Sequence, residues 1–199
     1  VSCLCHATDI PADLRLPLFA LNGHEKIWEG VVITSGAALK WLKETCFPEA
    51  DYASLDHEAA QSPPLAGGLL FFPWLDGEGA PGMDYRQRGV FHGLGLASGR
   101  GDLVRALYEG IAWRIRENLE VFGRVGERPD GIVAFGGGAK STVWCRILAD
   151  ATGLPVRVPA IMETANYGAA MLAAEGAGGA PLPPLATRAE YEPDPLLRN

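Results

Sequence analysis

Hydrophobic and polar positions along the 199 residues switch between a two-residue and a near-four-residue period. "VSCLC" (1–5) and "KIWEGVVIT" (26–34) have strand composition, and a Pro-containing connection with Asn22-Gly23, a strong turn dipeptide, joins them. From Ser35, a suitable N-cap, the positions Ala38, Leu39, Leu42 and Cys46 predict a helix over 35–46. A second short helix is predicted over 52–61, stopped by Ser62-Pro63-Pro64. "GGLLFFPW" (67–74) reads as a buried strand, and the Gly/Pro-rich stretch 76–89 as a loop too polar and broken for core. The longest amphipathic pattern runs over 102–122, where Leu103, Leu107, Ile111, Ile115, Leu119 and Phe122 recur at helical spacing.

The second half alternates strand and helix. "GIVAF" (131–135) predicts a buried strand, followed by a glycine loop, a helix over 141–151 and a strand over 155–159. A small-residue helix suited to close packing follows over 166–178, and the Pro-rich tail from about 179 is expected to be irregular. This alternation predicts an α/β class with helices packed on a sheet. With no internal repeat and no linker-like stretch before about 178, one domain is expected. The chain opens on Val1 directly into an alternating segment, which reads as a cut made inside a fold.

Composition narrows the partners. With 48% hydrophobic and 21% charged residues the chain is ordinary globular material. A formal net charge of −7 argues against nonspecific binding to nucleic acid or to an anionic membrane. No apolar run approaches the roughly 20 residues that span a bilayer, and no leader pattern points to secretion. A cytoplasmic protein is expected, with Cys3, Cys5, Cys46 and Cys145 as reduced thiols in no zinc spacing.

"AFGGGAKSTVW" (134–144) is the stretch richest in chemistry. A strand, a glycine turn and a helix start together make an anion site, because the first helical N–H groups are unpaired and the dipole favours negative charge. It is not a P-loop: Ala134 and Ala139 stand where that motif needs glycine, so Lys140 is not its phosphate lysine. It is a poor dinucleotide fingerprint as well, because position 141 is Ser and no complete βαβ unit follows.

Three stretches together resemble the C-terminal domain of the FGGY carbohydrate kinases, most closely the xylulokinase-like members. "GLLFFPWLDGEGAP" (68–81) is similar to the family's Gly-Leu-Leu-Phe-x-Pro-Tyr-Leu-x-Gly-Glu-Arg-Thr-Pro segment. "RGVFHGLGLASGRGDLVRALYEGIAW" (88–113) follows its second signature, from Gly89 and Gly93 through Asp102-Leu103 and Ala106 to Glu109. "AFGGGAKSTVWCRILADATGLPV" (134–156) matches its Gly-Gly-Gly-Ala-Lys/Arg-Ser run, and "ETANYGAAMLAA" (163–174) and "YEPDP" (191–195) agree with its closing helix and tail.

The resemblance implies an actin-like ATPase fold of ribonuclease-H type, with this chain as the C-terminal lobe of a two-lobe sugar kinase. The reaction implied is transfer of the γ-phosphoryl group of MgATP to a hydroxyl of a sugar, a ketopentose such as xylulose being expected. ATP and Mg2+ are thus the expected cofactors. By the same resemblance Gly137 and Gly138 pass against the adenosine, and Ala139, Ser141 and Thr142 continue that wall into the helix start. Gly36 matches a glycine near the nucleotide phosphates or ribose, and Lys40 a polar position facing the same pocket. Lys140 is expected to face solvent, Trp41 and Trp144 to anchor the core, and Arg105 and Glu109 to be structural or interlobe rather than catalytic.

No catalytic residue and no metal ligand is expected within the chain. In the family the catalytic Asp and the sugar-binding residues belong to the N-terminal lobe, the expected partner; the resemblance also allows a homodimer. One departure bears on function: Gly79-Ala80 replaces the family's Arg-Thr, leaving Glu78 in need of a cation from Arg86 or Arg88 unless the loop is freer. A freer loop would favour the alternative, a non-catalytic actin-like nucleotide-binding or regulatory module. Asp76, Glu78 and Asp84 are read as solvated carboxylates, not as an acid-base or metal cluster.

Overall fold

A computed structural model describes residues 2–5, 15–20 and 26–197; the expected Asn22-Gly23 turn lies outside the described residues. The chain groups into two compact units, Val1–Pro129 and Asp130–Asn199. The first opens with an antiparallel sheet in which β3 (Lys26–Glu29) lies between β1 (Ser2–Cys5) and β2 (Leu18–Ala20). Trp28 of the central strand is fully buried, and with Leu16, Ala80, Val121 and Phe122 it forms a core cluster. Removing an aromatic side chain from such a position costs about 3–5 kcal/mol. Ala80 comes from the 76–89 stretch, so part of that supposedly non-core loop is core.

The first two helices form where helical spacing put them. In α1 (Gly36–Cys46) Ala38 and Leu42 are buried, Leu39 is half-buried and Cys46 is exposed. In α2 (Tyr52–Gln61) the Asp51 carboxylate caps the helix by accepting the Ser54 N–H at 2.7 Å. After the Ser62-Pro63-Pro64 stop, residues 65–68 form a left-handed turn in which Leu65 (φ 62°) and Ala66 (φ 45°) take a conformation that favours glycine.

That turn delivers the chain to β4 (Leu70–Phe72), which pairs antiparallel with β5 (Val90–His92). β5 is three residues in Gly-rich surroundings, too short for a two-residue period to stand out. The long helix α3 (Arg100–Arg124) then packs on both α2 and β4. At Gly110 its backbone comes so close to the Phe71 carbonyl that a Cβ would collide with it.

Polar bonds fix the helix in place along its length. Asp102 accepts from the Ser62 hydroxyl (2.5 Å) and the Gly99 N–H (2.8 Å), and these two bonds hold its carboxyl below the usual range. Arg100 pairs with Glu58 (Nε to Oε2, 2.7 Å), and the Tyr108 hydroxyl lies 2.5 Å from Asp56 Oδ1. Arg105 donates to the Ser62 carbonyl (2.9 Å) and to Glu109 (2.8 Å), and Glu109 accepts the Leu65 N–H (3.0 Å). Both residues thus hold the 62–65 segment to the helix.

In the second unit β7 (Val156–Pro159) lies between β6 (Ile132–Val133), parallel to it, and β8 (Thr187–Tyr191), antiparallel. The tail is thus not wholly irregular. Its "TRAEY" alternates, with Ala189 opposite Val158 and Glu190 opposite Arg157 in a 2.6 Å ion pair, but flanking prolines obscure the pattern in sequence. α4 (Thr142–Thr152) buries Cys145, Ile147, Leu148 and Ala149 and stops at Gly153, φ 69°. α5 (Thr164–Gly176), expected to pack closely, has no buried residue.

The turn before β4 yields a stability test. A left-handed non-glycine residue costs about 1–2 kcal/mol, and Leu65 is 55% exposed, so it gives little packing in return. Leu65→Gly should stabilise by about 0.5–1 kcal/mol after the greater freedom of unfolded glycine is subtracted. The urea midpoint should rise with an unchanged slope, whereas Leu65→Ala should give no gain.

Candidate nucleotide-binding site

The glycine turn of the second unit is built between β6 and α4. Beyond β6 the Ala134 N–H still bonds the Arg157 carbonyl (2.9 Å), so the strand edge carries into the turn. Gly136 takes φ +78° and reverses the chain; Gly137 is already helical in conformation, and Gly138–Lys140 form one tight turn. The Ser141 hydroxyl caps α4 by accepting the Trp144 N–H at 3.0 Å. Ala139 is buried, and its carbonyl accepts from Arg188 Nη2 at 3.5 Å.

These positions offer a ligand different things. At Gly137 an added Cβ would meet nothing within 4 Å, and at Gly138 it would make ordinary contact with the Trp144 indole at 3.5 Å. Nothing within the described residues requires Gly137 to lack a side chain, so the space in front of the turn is open. The buried side chain of Ala139 leaves it only backbone to present, and Ser141 already spends its hydroxyl on the cap. Thr142 is exposed, with Oγ1 3.4 Å from the Tyr191 hydroxyl. Lys140 is exposed, as expected, and Trp144 is half-buried behind the turn.

Gly36 and Lys40 belong to the first unit, the other five candidates to the second. Gly36 is the first residue of α1 and likewise has nothing within 4 Å of an added Cβ. Ser35 stands at the N-cap but makes no side-chain cap bond, so this helix start lacks the cap that α4 has. Lys40 is exposed, one turn on, with Glu44 at 3.8 Å, a surface pair of little energetic weight. Trp41 is 40% exposed and is not the core anchor expected.

Residues 11–177 match the family model described as the C-terminal domain of the FGGY family of carbohydrate kinases. The chain belongs to that family. Among the relatives, a xylulose kinase of Staphylococcus epidermidis is 36% identical over 149 residues, which cover 75% of this chain and 30% of that protein. A glycerol kinase of Gloeobacter violaceus is 34% identical over 151 residues, 75% of this chain and 30% of that protein. Among solved structures, xylulose kinase from Rhodospirillum rubrum superposes with a TM-score of 0.84 at 33% identity over 98% of this chain and 41% of that one. The fold is therefore the actin-like one of FGGY sugar kinases, and the chain spans about a third of the length of the relatives it matches in sequence.

The FGGY segment that departs from its relatives at Gly79-Ala80 is nevertheless ordered. Glu78 finds its cation in Arg114 of α3 (3.0 Å), not in Arg86 or Arg88. Arg86 instead grips Asp84 through its side chain and its N–H, and these bonds hold that carboxyl down at about 2. Arg88 donates to the Tyr85 and Gln87 carbonyls. Arg114 escaped the sequence reading because its pairing is tertiary. The available signal was a charged residue three positions after Ile111 and four before Asn118, close to the apolar stripe of a long helix. Among the described residues no three His, Cys, Asp or Glu side chains gather as a metal site.

The cap can be tested directly. Ser141→Ala should cost about 1 kcal/mol of stability, the usual loss for an N-cap, while Ser141→Asp should keep most of it. Urea denaturation monitored at α4 by backbone amide exchange is the measurement, and an unchanged midpoint for Ser141→Ala would contradict the capping role.

Proposed function

We propose that this chain is the nucleotide-binding C-terminal lobe of an ATP-dependent carbohydrate kinase acting in the cytoplasm, with a ketopentose such as xylulose as acceptor. The observation that carries the reading is the open glycine turn at the start of α4, in a chain with FGGY family membership. Gly137 is in a conformation any residue can take, with no neighbour to exclude a side chain; a ligand lying against the backbone is what such a glycine leaves room for.

In this reading Gly137 and Gly138 lie against the adenosine, backed by Trp144. Ala139 contributes backbone, Ser141 holds the helix start, and Thr142 offers a hydroxyl. Gly36 and Lys40 are assigned to the phosphate or ribose end from the family resemblance. MgATP supplies the γ-phosphoryl group. With no carboxylate cluster among the described residues, Mg2+ is assigned to the phosphates and to side chains of the remaining enzyme. The carboxylate that accepts the sugar hydroxyl proton is placed in the N-terminal lobe, so the 199 residues alone should turn over ATP poorly. Support for a second lobe comes from α5, whose Met171 and Leu172 are 40% and 68% exposed on a helix with a single charged residue. The softened loop that would favour a non-catalytic module is closed by Arg114, and that alternative loses its support.

Gly137→Val separates binding from folding. The added side chain enters space the protein itself leaves empty, so the melting temperature should change little while ATP affinity falls about tenfold or more, about 1.4 kcal/mol. Calorimetric titration with ATP and with NAD gives the ligand class. Equal affinity of the wild-type chain for both, or unchanged ATP affinity in the variant, would overturn the assignment.

A further inference from the structure

The Arg114–Glu78 pair does more than close a loop. Arg114 and Glu78 side chains are 12% and 18% exposed, so the pair is largely withdrawn from water and losing Arg114 would leave the Glu78 carboxylate poorly solvated. Arg114 Nη2 donates to Glu78 Oε1 (3.0 Å) and to the Ala80 carbonyl (3.0 Å), and Nη1 reaches Glu117. A planar fork holding a carboxylate and a carbonyl together fixes orientation as well as distance. The turn it grips is closed internally: the Glu78 N–H bonds the Asp84 carbonyl (3.0 Å), and the Met83 N–H the Gly79 carbonyl (2.8 Å).

The same turn holds the connection that leads into α1. The Ala80 N–H donates to the Val31 carbonyl at 2.9 Å, and a Cβ at Gly79 would collide with that carbonyl. Directly before α1's N-cap, Thr34, 8% exposed, donates its hydroxyl to the Pro73 carbonyl at 2.8 Å. Residues 31 and 34 thus both hang on the 73–80 segment, and Gly36 follows directly. Ser35 supplies no side-chain cap, and the Ala38 N–H bond to its carbonyl (3.0 Å) is the local contact at the start of α1.

We propose that Arg114 is a positioning residue for the start of α1: through Glu78 and Ala80 it fixes the 77–84 turn, which holds the 31–34 connection and with it Gly36. The proposal rests on the assignment of Gly36 to the nucleotide. Arg114 does not itself contact ATP. It sets the direction in which the first N–H groups of α1 point, and that direction decides how well they meet an anion.

The test uses the 199-residue chain with Arg114→Met, Arg114→Lys and Glu78→Gln. Arg114→Met keeps the packing stem and removes the fork, and Arg114→Lys keeps the charge without the fork. Amide exchange is followed by mass spectrometry over 31–40 and over 142–152, without and with ATP. Arg114→Met and Glu78→Gln should both speed exchange over 31–38 by about tenfold and leave 142–152 unchanged. Both should weaken ATP by about tenfold, equivalent to about 1.4 kcal/mol, with Arg114→Lys intermediate.

Unchanged exchange over 31–38 in Glu78→Gln or in folded Arg114→Met overturns the proposal. So does faster exchange with ATP affinity intact. If ATP fails to protect 36–40 in the wild-type chain, the nucleotide assignment of Gly36 falls and takes the functional part of the proposal with it. The exchange comparison without ATP still shows separately whether Arg114 holds the helix start.

Discussion

The backbone of α3 at Gly110 lies directly against the carbonyl of Phe71, and much of the first unit's order follows from that contact. With helix and strand this close, three side chains of α3 reach loops that would otherwise float. Arg105 takes the Ser62 carbonyl, Glu109 the Leu65 N–H, and Arg114 both Glu78 and the Ala80 carbonyl. Each is a charge-assisted bond at a partly dry site, where losing one partner leaves a charge or a backbone group poorly solvated. The left-handed turn with two non-glycine residues is tied to that helix at its entry, through Ser62 ahead of it and through Leu65, its first residue.

Elements long enough to show a period were legible in the sequence. α1, α2, α3 and α4 lie within two residues of where apolar spacing and caps placed them. The misses are three short strands. β2 and β5 have three residues each, too few for a two-residue period to separate from chance, and β8 sits among prolines. For the site, local chemistry was visible and tertiary chemistry was not. Lys140 could be discounted because a P-loop needs glycines that are absent, whereas the cap role of Ser141, placed inside the helix by the sequence, emerged only with the structure. That Ala139 is buried and Trp41 exposed depends on which way each element faces, which spacing over so few residues did not settle.

The two helix starts assigned to the nucleotide are built differently. α4 begins with a capped turn whose one side-chain hydroxyl at the cap is already bonded to the helix, so the turn is rigid and what it offers is backbone and shape. Such a surface suits the flat, weakly charged adenosine better than a triphosphate. α1 begins without a side-chain cap; the Ala38 N–H bonds the Ser35 carbonyl (3.0 Å), and the Gly36 and Ala37 N–H groups ahead of it face out of the helix start. An uncapped start suits phosphate or ribose oxygens, and it gains from having its position fixed from outside.

That difference gives the departure at Gly79-Ala80 a physical meaning. By the resemblance, the family's segment has an Arg directly after the loop glutamate, where this chain has Gly79. Here position 79 cannot carry any side chain, because it would run into the Val31 carbonyl, and the cation comes from α3. With its cation on α3, Glu78 is paired and the turn's shape depends on the long helix. The 31–34 connection bonds to the turn through Ala80 and to its leading segment through Pro73, so it inherits that dependence. What looks like a loosening in the sequence is, in the folded chain, a turn held by the most extensively packed element of the unit.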